Sequence, residues 1–109
     1  MEHLNKVELV GTVGMVSRSE IGPLHSASFS LVTNYLYHTA NGQAVIETTW
    51  HLVVCYEGRG VCPVTEIEKG VNLHVIGRIR SRRHTTASGE ERTTSEILAT
   101  KVEVVEEGT

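Results

Sequence analysis

The chain has 109 residues, 39 % hydrophobic and 21 % charged, with a formal net charge of −3. That length carries one modest core rather than two, so a single domain over residues 1–109 is expected. No apolar run approaches the ~20 residues that span a bilayer, and the start, MEHLNKVEL, lacks the basic and apolar stretches of a signal peptide, which points to the cytoplasm.

Val, Ile and Thr supply about three residues in ten, and β-branched side chains favour strands. The first predicted strand, Leu4 to Val16, alternates Val7, Leu9, Gly11 and Val13 against Lys6 and Glu8. Gly11 and Gly14 remove side chains where that strand must bend or admit another. A loop, IGPLHS, follows. The second strand, about Ala27 to His38, places Phe29, Leu31 and Thr33 on one face. Asn41-Gly42 then signals a hairpin, because both residues tolerate positive φ. The third strand runs from about Ala44 to Tyr56. Pro63 can open one short helical turn over Val64 to Lys69, ended by Gly70. The fourth strand, Val71 to about His84, alternates Val71, Leu73, Val75, Gly77 and Ile79 against Asn72, His74, Ile76, Arg78 and Arg80. TASGE turns it into a fifth strand from about Thr93 to Val105.

Two long-armed hairpins, a glycine-kinked first strand and a short connector after strand three describe an all-β closed barrel. The expected fold is a five-stranded OB-fold Greek-key barrel with at most one short helical turn. An SH3-like barrel is the competitor, although its hairpins are usually shorter.

Cys55 and Cys62 are too few for a disulfide scaffold and fit a reducing compartment. The six histidines include no HxxxH pair, and His51, Cys55 and Cys62 lack zinc spacing, so neither a metal nor another cofactor is expected. The chain has no aspartate, so acid–base pairs could come only from Glu and His. His51 and Cys55 lie roughly 13 Å apart on an extended strand, too far for a nucleophile–base pair. No catalytic residue emerges, and an enzyme is not expected.

Charge is unevenly spread. Lys69, Arg78, Arg80, Arg82, Arg83 and Arg92 face Glu90 and Glu91 over residues 69–92, a local balance of +4, which leaves −7 elsewhere. A concentrated field can steer a charged ligand whatever the total charge. Arg78, Arg80 and Arg82 alternate and so project to one face of strand four. Facing a phosphate backbone they would release counterions. As a solvated arm, with Arg82 and Arg83 pairing Glu90 and Glu91, they would contribute only about 0–1 kcal/mol per pair. The phosphate reading is preferred, and Lys6 could extend the basic track. Trp50 and Tyr56 share parity on strand three and stand about 20 Å apart, room for several nucleotides.

NKVELVGTVG at 5–14, FSLVTN at 29–34, TTWHLVV at 48–54, EKG at 68–70, GRIRSRR at 77–83 and SGEERTTSEI at 88–97 occur in one order and spacing. In these the chain resembles the bacterial single-stranded DNA-binding protein family over nearly its whole length. The resemblance implies an OB-fold homotetramer that wraps single-stranded DNA without strong sequence preference in replication, recombination or repair, in the cytoplasm at the nucleoid. It implies stacking at Tyr37, Trp50, Tyr56 and His84. Tyr37 and His84 stand where the family usually has tryptophan, so weaker stacking is expected there. The core alternative for Trp50 rests on Leu52 and Val54, which share its parity. His51 is implied to lie near the subunit contact.

The family usually continues into a Gly-, Pro- or Gln-rich tail with an acidic tip that recruits partners. The chain ends VEEGT, so such recruitment is expected to be absent. Two alternatives remain: a replication-restart factor like primosomal replication protein n, also a short OB-fold oligomer, and an OB-barrel protein-interaction module without DNA binding.

Overall fold

The computed structural model describes residues 1–20 and 22–106. Ile21 of the IGPLHS loop, and residues 107–109, on which the reading of the chain end partly rests, lie outside the described residues.

Five strands close into one barrel: β1 (Val7–Ser19), β2 (Ser26–His38), β3 (Ala44–Tyr56), β4 (Asn72–Thr85) and β5 (Glu91–Val104). Their order around the barrel is β1-β2-β3-β5-β4, the OB-fold arrangement expected from the sequence. Antiparallel pairing joins every neighbour except β3 and β5, which meet in parallel only at Val53–Ile97 and Val54–Leu98. One 3-10 turn, Val64–Glu66, lies between β3 and β4. It is shorter than the turn predicted over Val64 to Lys69, and Glu57 Oε1 accepts a hydrogen bond from the Val64 N–H at its start.

Strand β1 begins three residues later than expected and ends three later. At its start Asn5 takes the place of a strand residue: its side-chain amide donates to the Ile79 carbonyl and accepts from the Ile79 N–H. At its far end pairing with β2 continues to Ser19–Ser26. Between these ends β1 changes partner, from β4 over Val7 to Thr12 to β2 from Thr12 onward, with a bulge between Val13 and Val16. A bulge increases local bend and twist, which a small barrel needs to close.

Both hairpin tips use the same three-residue turn. Gly42 N–H donates to the Thr39 carbonyl and Gly89 N–H to the Thr86 carbonyl, with φ of 86° and 87° at the two glycines. Only Gly42 of the Asn41-Gly42 pair takes positive φ, because a type I turn closed by one left-handed residue replaces the two-residue hairpin.

The inward rows are those expected from alternation. Val13, Phe29, Leu31, Val53, Cys55, Leu73 and Val75 are buried together, with Ile97, Ala99 and Val102 from β5. Val64 and Ile67 of the connector join the same core. Arg18 Nη1 donates to the Ile67 carbonyl and ties that connector to β1. Burial pushes the Cys55 thiol up to about 11, so it stays a neutral packing group.

Outside the barrel, His74 of β4 is clasped by two acids. Its Nε2 lies 2.6 Å from Glu8 Oε2 on β1, and its Nδ1 lies 2.8 Å from Glu103 Oε1 on β5. Ionised carboxylates only accept, so both ring nitrogens must donate and the ring is an imidazolium. The bonds from Glu103 and then Glu8 raise its pKa above the ordinary 6.5. The bond from His74 lowers both carboxyls below their ordinary 4.5, with help from Lys6 and Lys101 at Glu8 and from Lys101 at Glu103. The histidine's contribution to stability is full below 6.5 and is lost as pH rises through its higher folded value. The carboxylates' contribution is present above 4.5 and is lost as pH falls through their depressed values. Thermal unfolding across pH should therefore show a stability plateau between those limits, and His74→Gln should flatten the alkaline decline. An unchanged alkaline decline in that variant would contradict the clasp.

Candidate nucleic-acid interface

β3 and β2 pair without interruption from Ser26–Tyr56 to His38–Ala44, so side chains alternate strictly along this hairpin. Trp50, Leu52, Val54 and Tyr56 share one side of β3, on which Val54 is buried and the other three are exposed. Trp50 is 61 % exposed, and Leu52 and Tyr56 each 44 %. The parity that could have placed Trp50 in the core instead places Leu52 outside with it.

The Trp50 ring has a seat. At Gly14 of β1, in the bulge, an added Cβ would stand 2.5 Å from the ring's Cζ3 and 2.7 Å from Ser30 Oγ. The outer edge of the ring thus sits against the bare backbone of Gly14, with Met15, Ser30 and Lys69 around the same hollow. Ser26, Ser28 and Ser30 pair with Tyr56, Val54 and Leu52 in register, and Ser17 and Ser19 pair with Ser28 and Ser26. The row of rings is thereby bordered by small hydroxyl side chains over which a flat ligand can pass. Of these serines, Ser26, Ser28 and Ser30 are legible in the alternation of SASFS, and Lys69 belongs to the basic region of the sequence.

On the row's other side lie β5 and β4. Leu98 pairs with Val54 and with Arg78, and Glu96 pairs with Arg80. Arg78, Arg80 and Arg82 share one face of β4, as expected, and it flanks the β3 row. His84 has the same parity further along this arm, whereas Arg83 has the other. The pairing of Arg82 and Arg83 with Glu90 and Glu91, the alternative set against the phosphate reading, does not form among the described residues. Arg82 lies 3.7 Å from Glu96, and Arg92 pairs with Glu90. Lys6 is exposed one residue before the Val7–Gly77 pair, which brings it to the level of Arg78.

Tyr37 is not brought to Trp50. It pairs with Val45, odd against the even parity of Trp50, so it sits on the opposite side of the β2–β3 arm. There it stacks on Tyr35, ring centroids 6.5 Å apart. Leu36 and Ile46 take the Trp50 side of that arm instead and are exposed. His51 lies on the inward row at the barrel mouth, part-buried, 2.9 Å from Thr33 Oγ1 through Nε2. Among the described residues no cluster of three His, Cys, Asp or Glu is placed to hold a metal ion, and no helix is long and apolar enough to cross a membrane.

Known proteins are similar to this chain. The model of the Single-strand binding protein family matches residues 4–105. A single-stranded DNA-binding protein of Neisseria meningitidis serogroup A is 32 % identical over 104 residues, which cover 94 % of this chain and 60 % of that protein. The chain thus spans about three-fifths of that relative's length. Among solved structures, the Plasmodium falciparum SSB in complex with ssDNA superposes with a TM-score of 0.72 at 24 % identity, covering 96 % of both chains. A deletion mutant of the single-stranded DNA binding protein from Thermus aquaticus gives 0.74 at 24 % identity, covering 94 % of this chain and 51 % of that one. These two likenesses concern the fold.

The seat of Trp50 can be tested without ligand. Gly14→Ala should lift the ring, raising acrylamide quenching of the single tryptophan, at a cost below the ~1–3 kcal/mol of core overpacking because the displaced atoms belong to a surface ring. Quenching identical to that of the parent would place the ring elsewhere.

Proposed function

The chain belongs to the single-strand binding protein family, and on that premise we propose that the outer face of β3 binds single-stranded DNA without strong sequence preference. The observation that carries this reading is the exposed row of Trp50, Leu52 and Tyr56 on a regular strand, with the Trp50 ring seated on Gly14. Every base offers a π-face, so a stacking platform tolerates any sequence and contributes roughly 1–3 kcal/mol per stacked base. Arg78, Arg82 and Arg83, with Lys6 and Lys69, supply charge for phosphates along the flanks, which makes affinity fall with salt. His84 extends the platform along the β4–β5 arm, and Tyr37 joins it only where the strand folds around the β2–β3 arm.

The protein works as a single OB-fold unit in a homo-oligomer, a tetramer by family, with His51 near the subunit contact. Apolar side chains on both sides of the β2–β3 arm, Tyr35 against Leu36 and Ile46, support an assembly that covers them. It coats DNA in the cytoplasm, at the nucleoid, and performs no catalytic step.

Titrating Trp50 fluorescence with a thymine oligonucleotide of a few tens of nucleotides should give saturable quenching that duplex DNA does not produce and that raised salt weakens. Trp50→Ala should lower affinity by about 5- to 150-fold, the equivalent of one stacked base, and Tyr37→Ala by less. A flat titration with no shift of the oligonucleotide in a gel would overturn the DNA reading in favour of a protein-interaction module.

A further inference from the structure

Glu96 is the one buried charged residue among those described, 3 % exposed. Its position is odd, since alternation puts it on the solvent side of β5 and a glutamate is almost never fully buried unless paired. It is covered because β3 and β5 part beyond Val53–Ile97, and the cleft between them is walled by Trp50, Leu52 and Ile79. Within it the Glu96 carboxylate accepts a hydrogen bond from Arg80 Nη2 at 2.5 Å, while Arg82 Nη1 stands off at 3.7 Å. Glu96 first, and Tyr56 after it, hold the Arg80 pKa above its ordinary value. Arg78 is exposed and makes no ion pair among the described residues.

Resting on the single-stranded DNA reading, we infer that Glu96 is a positioning residue that withdraws Arg80 from the phosphate contacts and fixes its guanidinium beside Tyr56 as part of the base platform. A phosphate that captured Arg80 would leave a buried carboxylate short of its closest partner, and an uncompensated buried charge costs more than one phosphate contact returns. Held at one edge by Glu96, the guanidinium keeps a flat face on which a base can stack. Arg82 is loosely held and mostly exposed, so it can exchange its acid for a phosphate. Arg78 has nothing to exchange. The alternating arginines of β4 therefore divide: Arg78 and Arg82 grip the backbone, and Arg80 serves the bases.

Salt dependence separates these roles, because each phosphate contact with a single strand contributes about 0.7 to the slope of log Kobs against log salt. With a thymine oligonucleotide, Arg78→Ala should make the slope shallower by about 0.7. Glu96→Gln, which frees Arg80, should make it steeper by a similar amount. The double variant Arg80→Met with Glu96→Met removes the pair without stranding either charge, which protects the fold. It should bind more weakly at every salt concentration with a slope no shallower than that of the parent. A double variant whose slope is shallower by as much as Arg78→Ala would overturn the inference while leaving the DNA reading intact. Failure of the parent itself to bind would overturn both.

Discussion

Closure of a five-stranded barrel with only two parallel residue pairs between β3 and β5 depends on one strand serving two neighbours. That strand is β1, which leaves β4 and joins β2 near Thr12. The turn needs backbone where side chains would collide: at Gly11 an added Cβ would meet the Val32 carbonyl oxygen, and at Gly14 the Trp50 ring. The same bulge that lets the barrel close therefore leaves a bare patch of backbone on the outside. A ring from β3 occupies it. Fold and site share this constraint.

The parting of β3 and β5 has a second consequence. Where two strands stop pairing, the backbone groups and side chains beside the gap need other cover, and here Glu96 sinks into the opening under Leu52 and Trp50. A buried carboxylate demands cations, and β4 provides them in register. Part of the positive charge that makes residues 69–92 look like a polyanion track is thus spent inside the protein. What remains free is concentrated at Arg78, at Arg83 on the other side of the arm, and at Lys69 beside the Trp50 hollow.

Much of this was legible in the sequence. The bounds of β3 coincide with the predicted ones, because unbroken alternation between a turn signal and a glycine-rich stretch leaves little freedom. The common parity of Trp50 and Tyr56 led directly to a shared face. Tyr37 was harder, since its side relative to Trp50 depends on register across the turn, and a three-residue loop in place of a two-residue one moves every cross-strand partner. The ends of β1 are hidden from periodicity, because Asn5 imitates a strand residue with its side chain at one end and pairing with β2 runs on to Ser19–Ser26 at the other. Glu96 is hidden for a related reason. On a solvent-side position a glutamate reads as surface, and only the separation of two strands distant in sequence shows that it is buried.

Binding at the platform requires that the Trp50 side of β3 meet the bases. Photochemical cross-linking with an iodo-substituted pyrimidine oligonucleotide, followed by peptide mapping, reports that contact residue by residue. Adducts should fall on Trp50 and Tyr56, with His84 on the neighbouring arm. Adducts confined to Tyr35 and Tyr37, or to the wall around His74, would put the nucleic acid on another surface and contradict the platform described for β3.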